Sequence, residues 1–313
     1  MLGFASLHIL ANNYQPLKWA LELQGSIVHE ETKLVVSAIE SLKQEPNIFK
    51  DYIFPIASAF FTSILGAIIA YYTLNRQEYV QIEKEKMNAS NKWTLDIEQA
   101  RSNLIAIKGN YNGELTNLPI QRVGAIPSIL FHAQPIPESF KDLSFIVPKE
   151  SESKTDLPKW SQIPRIRAMI SNYNYLLKLW EQRNEINQNF KELILASIGN
   201  NAYANLTLQQ VEVAIGKANL VILIDLTERC ITLTDDIIVE LDSFLTEFPA
   251  FAKTKIDTKR LKKFGTVISY SNNGNEALLE LIKKSPIVDF STVEYLFGEK
   301  DADIKKRHKT GYE

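Results

Sequence analysis

The chain has 313 residues, 45% hydrophobic and 23% charged, with only twelve glycines and twelve prolines, which excludes wholesale disorder and low-complexity architecture. Thirty-five Lys and Arg stand against 37 Asp and Glu, a net charge of −2 with no global field toward polyanions, so nucleic acid is not an expected partner. The single cysteine, Cys230, excludes an internal disulfide framework.

Residues 1–51 form the first segment. From Pro16 to Lys43 it reads as one amphipathic helix: Leu17, Leu21, Val28, Val35, Ala38 and Leu42 share a face, with Glu22, Glu30, Lys33 and Glu40 elsewhere. Surface-lying membrane helices carry Lys and Arg on the polar side, whereas here glutamates dominate, so packing is the expected use.

Residues 52–74 carry the strongest signal. Tyr52 to Leu74 is 23 residues without a charged side chain. As a helix it reaches about 34 Å, enough to cross a hydrocarbon core of about 30 Å. Pro55 falls in the first turn, where its missing N–H matters least, and Tyr52, Tyr71 and Tyr72 sit at the ends, where aromatic rings meet headgroups. Fifty-one residues precede the stretch and it is too long for a signal-peptide core, so a retained anchor is expected. The next most apolar run, Ala218 to Leu226, is nine residues and contains Asp225, so the chain reads as single-pass. Ala59, Ser63, Gly66, Ala67 and Ala70 recur at steps of three and four, the pattern by which helices pack closely in lipid, and predict a homo-oligomer. Lys33, Lys43 and Lys50 precede the span, while Arg76, Lys84, Lys86 and Lys92 follow it. That one-charge excess assigns the C-terminal portion to the cytoplasm.

Residues 75–116 read as a stalk helix continuous with the span. Tyr79, Ile82, Ala89, Trp93, Ile97, Ala100, Leu104, Ile107 and Tyr111 form its seam, and Gly109 to Gly113 is its stop. Residues 117–164 hold seven prolines, which break long helices and suggest a division between stalk and body. Residues 165–298 form the body, with one helix from Ile163 to Ile198 and another from Thr207 to Phe248 that ends at Pro249. Leu220 to Ile224 could alternatively be a buried strand, and Val267 to Tyr270 is strand-like. Residues 299–313 are charged and expected to be loose. The fold class is therefore mainly α: a single transmembrane helix continuing into a long stalk helix, plus an elongated antiparallel helical bundle.

The sequence contains no phosphate-binding loop, no HExxH and no GxSxG, and His8, His29, His132 and His308 are scattered. No catalytic residue, cofactor or metal is expected. Cys230 lies in an apolar helical pattern and reads as a buried structural thiol, while Asp235 and Asp236 are expected to meet solvent. Lys253, Lys255, Lys259, Arg260, Lys262 and Lys263 fall within eleven residues. They form either a patch for anionic lipid or another polyanion, or a solvated junction balanced by Glu240, Asp242, Glu247 and Asp257.

These features predict a membrane-anchored, non-enzymatic helical protein whose partners are the lipid bilayer, copies of itself and a further protein. It would bind that partner or sense a state, and transmit or assemble through its span. One alternative is a membrane-perturbing effector of the toxin or defence type, held inactive by its body until triggered. Another is a membrane-tethered enzyme without a recognisable motif.

Overall fold

The computed structural model describes residues 32–38, 47–148, 157–198 and 207–312, and divides into two units, Met1–Arg76 and Gln77–Glu313. It is mainly helical, with no strand among the described residues. Of the expected N-terminal helix only 32–38 is described, and it is helical and exposed. The polar stretch 149–156 and the stop at Gly199 to Asn201 lie outside the described residues.

In the first unit, a π-helical turn at Phe49–Ile53 leads into α1, Phe54–Lys108. No residue in its most apolar stretch is buried, and it is the one described helix long and apolar enough to cross a membrane. Ile56, Phe60, Phe61, Ile64, Leu65, Ile68, Ile69, Tyr71, Tyr72 and Leu74 are all exposed. Hydroxyls in the stretch bond back to the helix: Thr62 Oγ1 donates to the Ser58 carbonyl at 2.7 Å, and Thr73 Oγ1 to that of Ile69 at 2.8 Å. Such back-bonding satisfies a polar side chain without water.

In the second unit, α1 changes character at Glu83. Beyond it Met87, Trp93, Ile97, Ala100, Leu104 and Ile107 are buried, whereas Tyr79 and Ile82, expected on the same seam, are exposed. α2 is Pro119–Ala125, α3 Ile163–Ile198, α4 Leu208–Ile215 and α5 Lys217–Thr254. Short helices follow: α6 Thr258–Leu261, α7 Glu276–Ile282, α8 Glu294–Phe297 and α9 Asp301–Arg307. α5 runs opposite to both long neighbours. Arg101 and Lys108 of α1 meet Asp242 and Asp235, and Arg165 and Trp180 of α3 meet Glu240 and Thr234. α1 and α3 run in the same sense: Asn103 bonds Tyr173, and Tyr111 stacks on Trp180.

Several expectations are corrected. The expected third helix is split at Gly216, whose φ of 83° suits glycine and starts α5 afresh. The Thr207 cap is present, as a capping box with Gln210. Pro249 does not end α5, which continues to Thr254. Phe244 and Phe248 stack at 4.3 Å, Trp160 sits edge-on to Phe244, and Ala252 is buried, so packing outweighs the hydrogen bond that proline removes. Leu220 to Ile224 is helical, its Leu220, Leu223 and Ile224 buried with Phe290, Val293 and Ile304. From the proline-rich stretch, Ile126, Ile129, Ile136, Phe140, Leu143, Ile146 and Trp160 are buried in the main core. The loose tail is instead α9, with Ile304 buried and the Tyr312 hydroxyl accepting from Asn172 Nδ2 at 2.8 Å.

Extended segments without a sheet need other partners for their backbones. Three asparagines supply them. Asn174 bonds both N–H and C=O of Ile136, Asn184 does the same for Ile129, and Asn91 accepts from the N–H of Ile268 while donating to the Thr266 carbonyl. A carboxamide offers one donor and one acceptor side by side, which is what a neighbouring strand would present. The strand-like reading of Val267 to Tyr270 is thus extended backbone clamped by a side chain.

Candidate functional site

α5 carries acids seven residues apart at Glu228, Asp235 and Asp242, a spacing that repeats on one helical face. Each meets a base from the first part of the unit. Asp242 pairs with Arg101 at 2.5 Å, Asp235 with Lys108 at 2.6 Å, and Glu228 lies 3.1 Å from Arg122. Arg101, Lys108, Arg122 and Glu228 are almost fully buried. Residues 266–288 run along this ladder as a strap. Tyr270 and Asn272 bond Arg101 and Asp242, the Ser285 N–H donates to Asp235 at 2.7 Å, the Lys283 carbonyl accepts from Lys108, and the Pro286 carbonyl accepts from Arg122.

Asp235 and Asp236 are therefore buried, contrary to expectation. Asp236 faces another way, pairing with Lys284 at 2.5 Å and accepting from Thr310. Glu240 is held by Lys159 at 3.0 Å and Arg165 at 2.7 Å. Arg183 is a buried cation with no carboxylate partner among the described residues. It donates to the carbonyls of Val123, Ile126 and Pro127 at the C-terminal end of α2, where the helix dipole is negative. Burial lowers its guanidinium to about 10, still charged at neutral pH. Cys230 is buried, and burial pushes its thiol up, which leaves it a poor nucleophile.

Glu228 is the ladder's imperfect rung. Neither carboxylate oxygen has an aligned hydrogen bond, and burial raises its pKa from an ordinary 4.5 to about 7, against the pull of Arg122 and then His308. A raised acid in the folded state binds its proton more tightly than the unfolded chain does. Its contribution is complete below its ordinary value of 4.5 and is lost as pH rises through about 7. Unfolding by urea in detergent should show a loss of at most about 3 kcal/mol between pH 5 and 7.5. Glu228→Gln should flatten that slope; identical slopes would remove the assignment. Asp225 behaves oppositely. Burial raises its carboxyl, but His308, Arg229 and Arg307 outweigh burial and hold it below its ordinary value, so its contribution is lost only in acid.

The other sequence-identified residues separate into two groups. Tyr52, Pro55, Tyr71, Tyr72 and Leu74 are exposed on the apolar stretch, as are Ala59, Ser63, Gly66, Ala67 and Ala70. The basic cluster lies at the end of α5 and around α6. Lys253, Lys259, Arg260, Lys262 and Lys263 are exposed and Lys255 is half-buried. Sequence reasoning missed two members of that surface, Lys84 and Phe264. The Lys84 ammonium sits 3.7 Å from the centre of the Phe264 ring.

No family model, curated protein or solved structure matches the chain.

Among the described residues, no group of three His, Cys, Asp or Glu could hold a metal. A groove of about 650 Å³ between α1 and the turn at Lys141–Ile146 contains Lys86, Lys92 and Asp142. Lys92 and Asp142 are 3.5 Å apart and Lys86 pairs with Glu83, so these charges answer one another.

Proposed function

We propose that the protein is a single-pass membrane-anchored, non-enzymatic scaffold or sensor. In this reading α1 supplies the anchor and the C-terminal helices form a bundle that binds a protein partner. One observation carries it: the apolar stretch of α1 leaves ten large apolar side chains exposed while satisfying hydroxyls internally. Leaving each in water costs about 1.5–3 kcal/mol, or about 15–30 kcal/mol together, against a net stability of about 5–15 kcal/mol for a folded domain. Lipid removes that cost. The small residues Ala59, Ser63, Gly66, Ala67 and Ala70 lie on this same open surface, and nothing is within 4 Å of where a Cβ on Gly66 would stand. They support assembly of copies through the span.

The test is extraction of membranes from cells making the full chain with alkaline carbonate, then cross-linking of what remains. The protein should stay with the bilayer until detergent is added, and Gly66→Ile with Ala67→Ile should lose the cross-linked species. Recovery of the chain in the carbonate supernatant would end the membrane reading. Unchanged cross-linking in the double variant would end the assembly part alone.

A further inference from the structure

We infer that the basic surface at the end of α5 and around α6 binds the anionic headgroups of the membrane in which α1 is anchored, an inference that rests on the anchoring proposed above.

The charge at this surface is balanced only in part. Of the four acids near the cluster in sequence, Glu240 is taken by Lys159 and Arg165 and Asp242 by Arg101 and Asn272, while Glu247 accepts from Ser243 and keeps its charge. Asp257 pairs with Arg260 at 3.1 Å. Lys259, Lys262 and Lys263 are exposed and make no ion pair among the described residues. Beside them Phe264 is 50% exposed and Tyr79, under Arg260, is 41% exposed. Basic side chains with exposed aromatic groups match an interface that is anionic outside and apolar beneath.

The surface is also held in place. The Asp257 N–H donates to Glu83 Oε2 at 2.7 Å, Arg260 lies over the Tyr79 ring at 4.7 Å, Lys84 lies over Phe264, and the backbone at Gly265 passes close to Met87. Every one of these attachments is to residues 79–87 of α1. Tyr79 follows Leu74, the end of the apolar stretch, by five residues. Five residues of chain reach at most about 18 Å however they are arranged, so Tyr79, over which Arg260 lies, stays within that reach of the end of the apolar stretch. Attraction to anionic lipid fades over a Debye length of about 8–10 Å, a separation that this tether permits. The tether also distinguishes lipid from nucleic acid, which nothing on the molecule holds nearby.

The experiment uses the full chain in proteoliposomes of phosphatidylcholine alone or with 30% phosphatidylserine, read by hydrogen exchange of the amides at 256–268. Exchange should be at least about fivefold slower with phosphatidylserine, the partition expected of even one such basic residue. The difference should vanish in 1 M salt, where the Debye length is about 3 Å. It should also vanish in Lys259→Gln/Lys262→Gln/Lys263→Gln, while Lys178→Gln/Lys191→Gln retains it. All five are exposed lysines, so the fold is expected to tolerate both variants. Equal exchange in the two lipids overturns the inference, as does a difference that survives in the triple variant. Protection by duplex DNA added to phosphatidylcholine vesicles, without protection by phosphatidylserine, would replace lipid by nucleic acid. Failure of the chain to float with either vesicle would instead overturn the anchoring itself.

Discussion

Asp235→Ala is expected to destabilise the Gln77–Glu313 unit by about 3–5 kcal/mol. Lys108 is 1% exposed, and Asp235 is its only carboxylate partner among the described residues. Removing the acid leaves a buried ammonium with the Lys283 carbonyl alone, and orphans the Ser285 N–H. Desolvation that the pair offset is then unopposed. Lys108→Met combined with Asp235→Leu should recover most of the loss, because two apolar groups need no counter-charge, with about 1 kcal/mol remaining for each strap group left unbonded. Urea unfolding in detergent reads both variants, with Trp180, stacked on Tyr111 and bonded to Thr234, as the fluorescent reporter. A single variant as stable as the parent would show that the pair contributes nothing. A double variant as unstable as the single would place the damage in packing instead.

The second large effect belongs to the apolar stretch. Leu65→Arg with Ile69→Arg puts two charges one turn apart near its middle. Against the favourable insertion of Leu and Ile, the pair costs about 6–8 kcal/mol in a bilayer. The variant should no longer rise with membranes in a flotation gradient, a measurement that separates inserted protein from aggregate. Flotation equal to the parent would mean that the bilayer does not hold this helix.

The sequence disclosed best what depends on one dominant period. The bounds of the helix from Ile163 to Ile198 were legible, because Ile166, Ile170, Tyr173, Leu177, Trp180 and Phe190 keep one face apolar and all are buried, although Leu193 on the same expected face is exposed. The apolar stretch was legible without any period, from its unbroken run of uncharged residues. Gly216 and Pro249 misled in opposite directions. Apolar periodicity runs through both, but a glycine can take up positive φ and divide a helix, whereas a proline can be tolerated where its neighbours are packed. The burial of Asp235 was not legible from its own neighbourhood, since its partner lies 127 residues away. The seven-residue recurrence of Glu228, Asp235 and Asp242, which puts three acids on one face of the helix, was the available signal. For the basic cluster the sequence showed the charges but not their balance, because Glu240 and Asp242 are near in sequence and committed in space to Lys159, Arg165 and Arg101.

The ladder also sets an order of events during synthesis. Arg101 and Lys108 leave the ribosome long before the α5 acids, and the Lys283 carbonyl that completes the Lys108 site comes 175 residues after it. Contacts of such separation form late. The apolar stretch of α1, by contrast, needs no later residue and is ready for a bilayer as soon as it emerges. On the anchoring proposed above, translocation machinery would receive this stretch while the charged rungs are still bathed in water, and the ladder would close only after residues 266–288 have emerged.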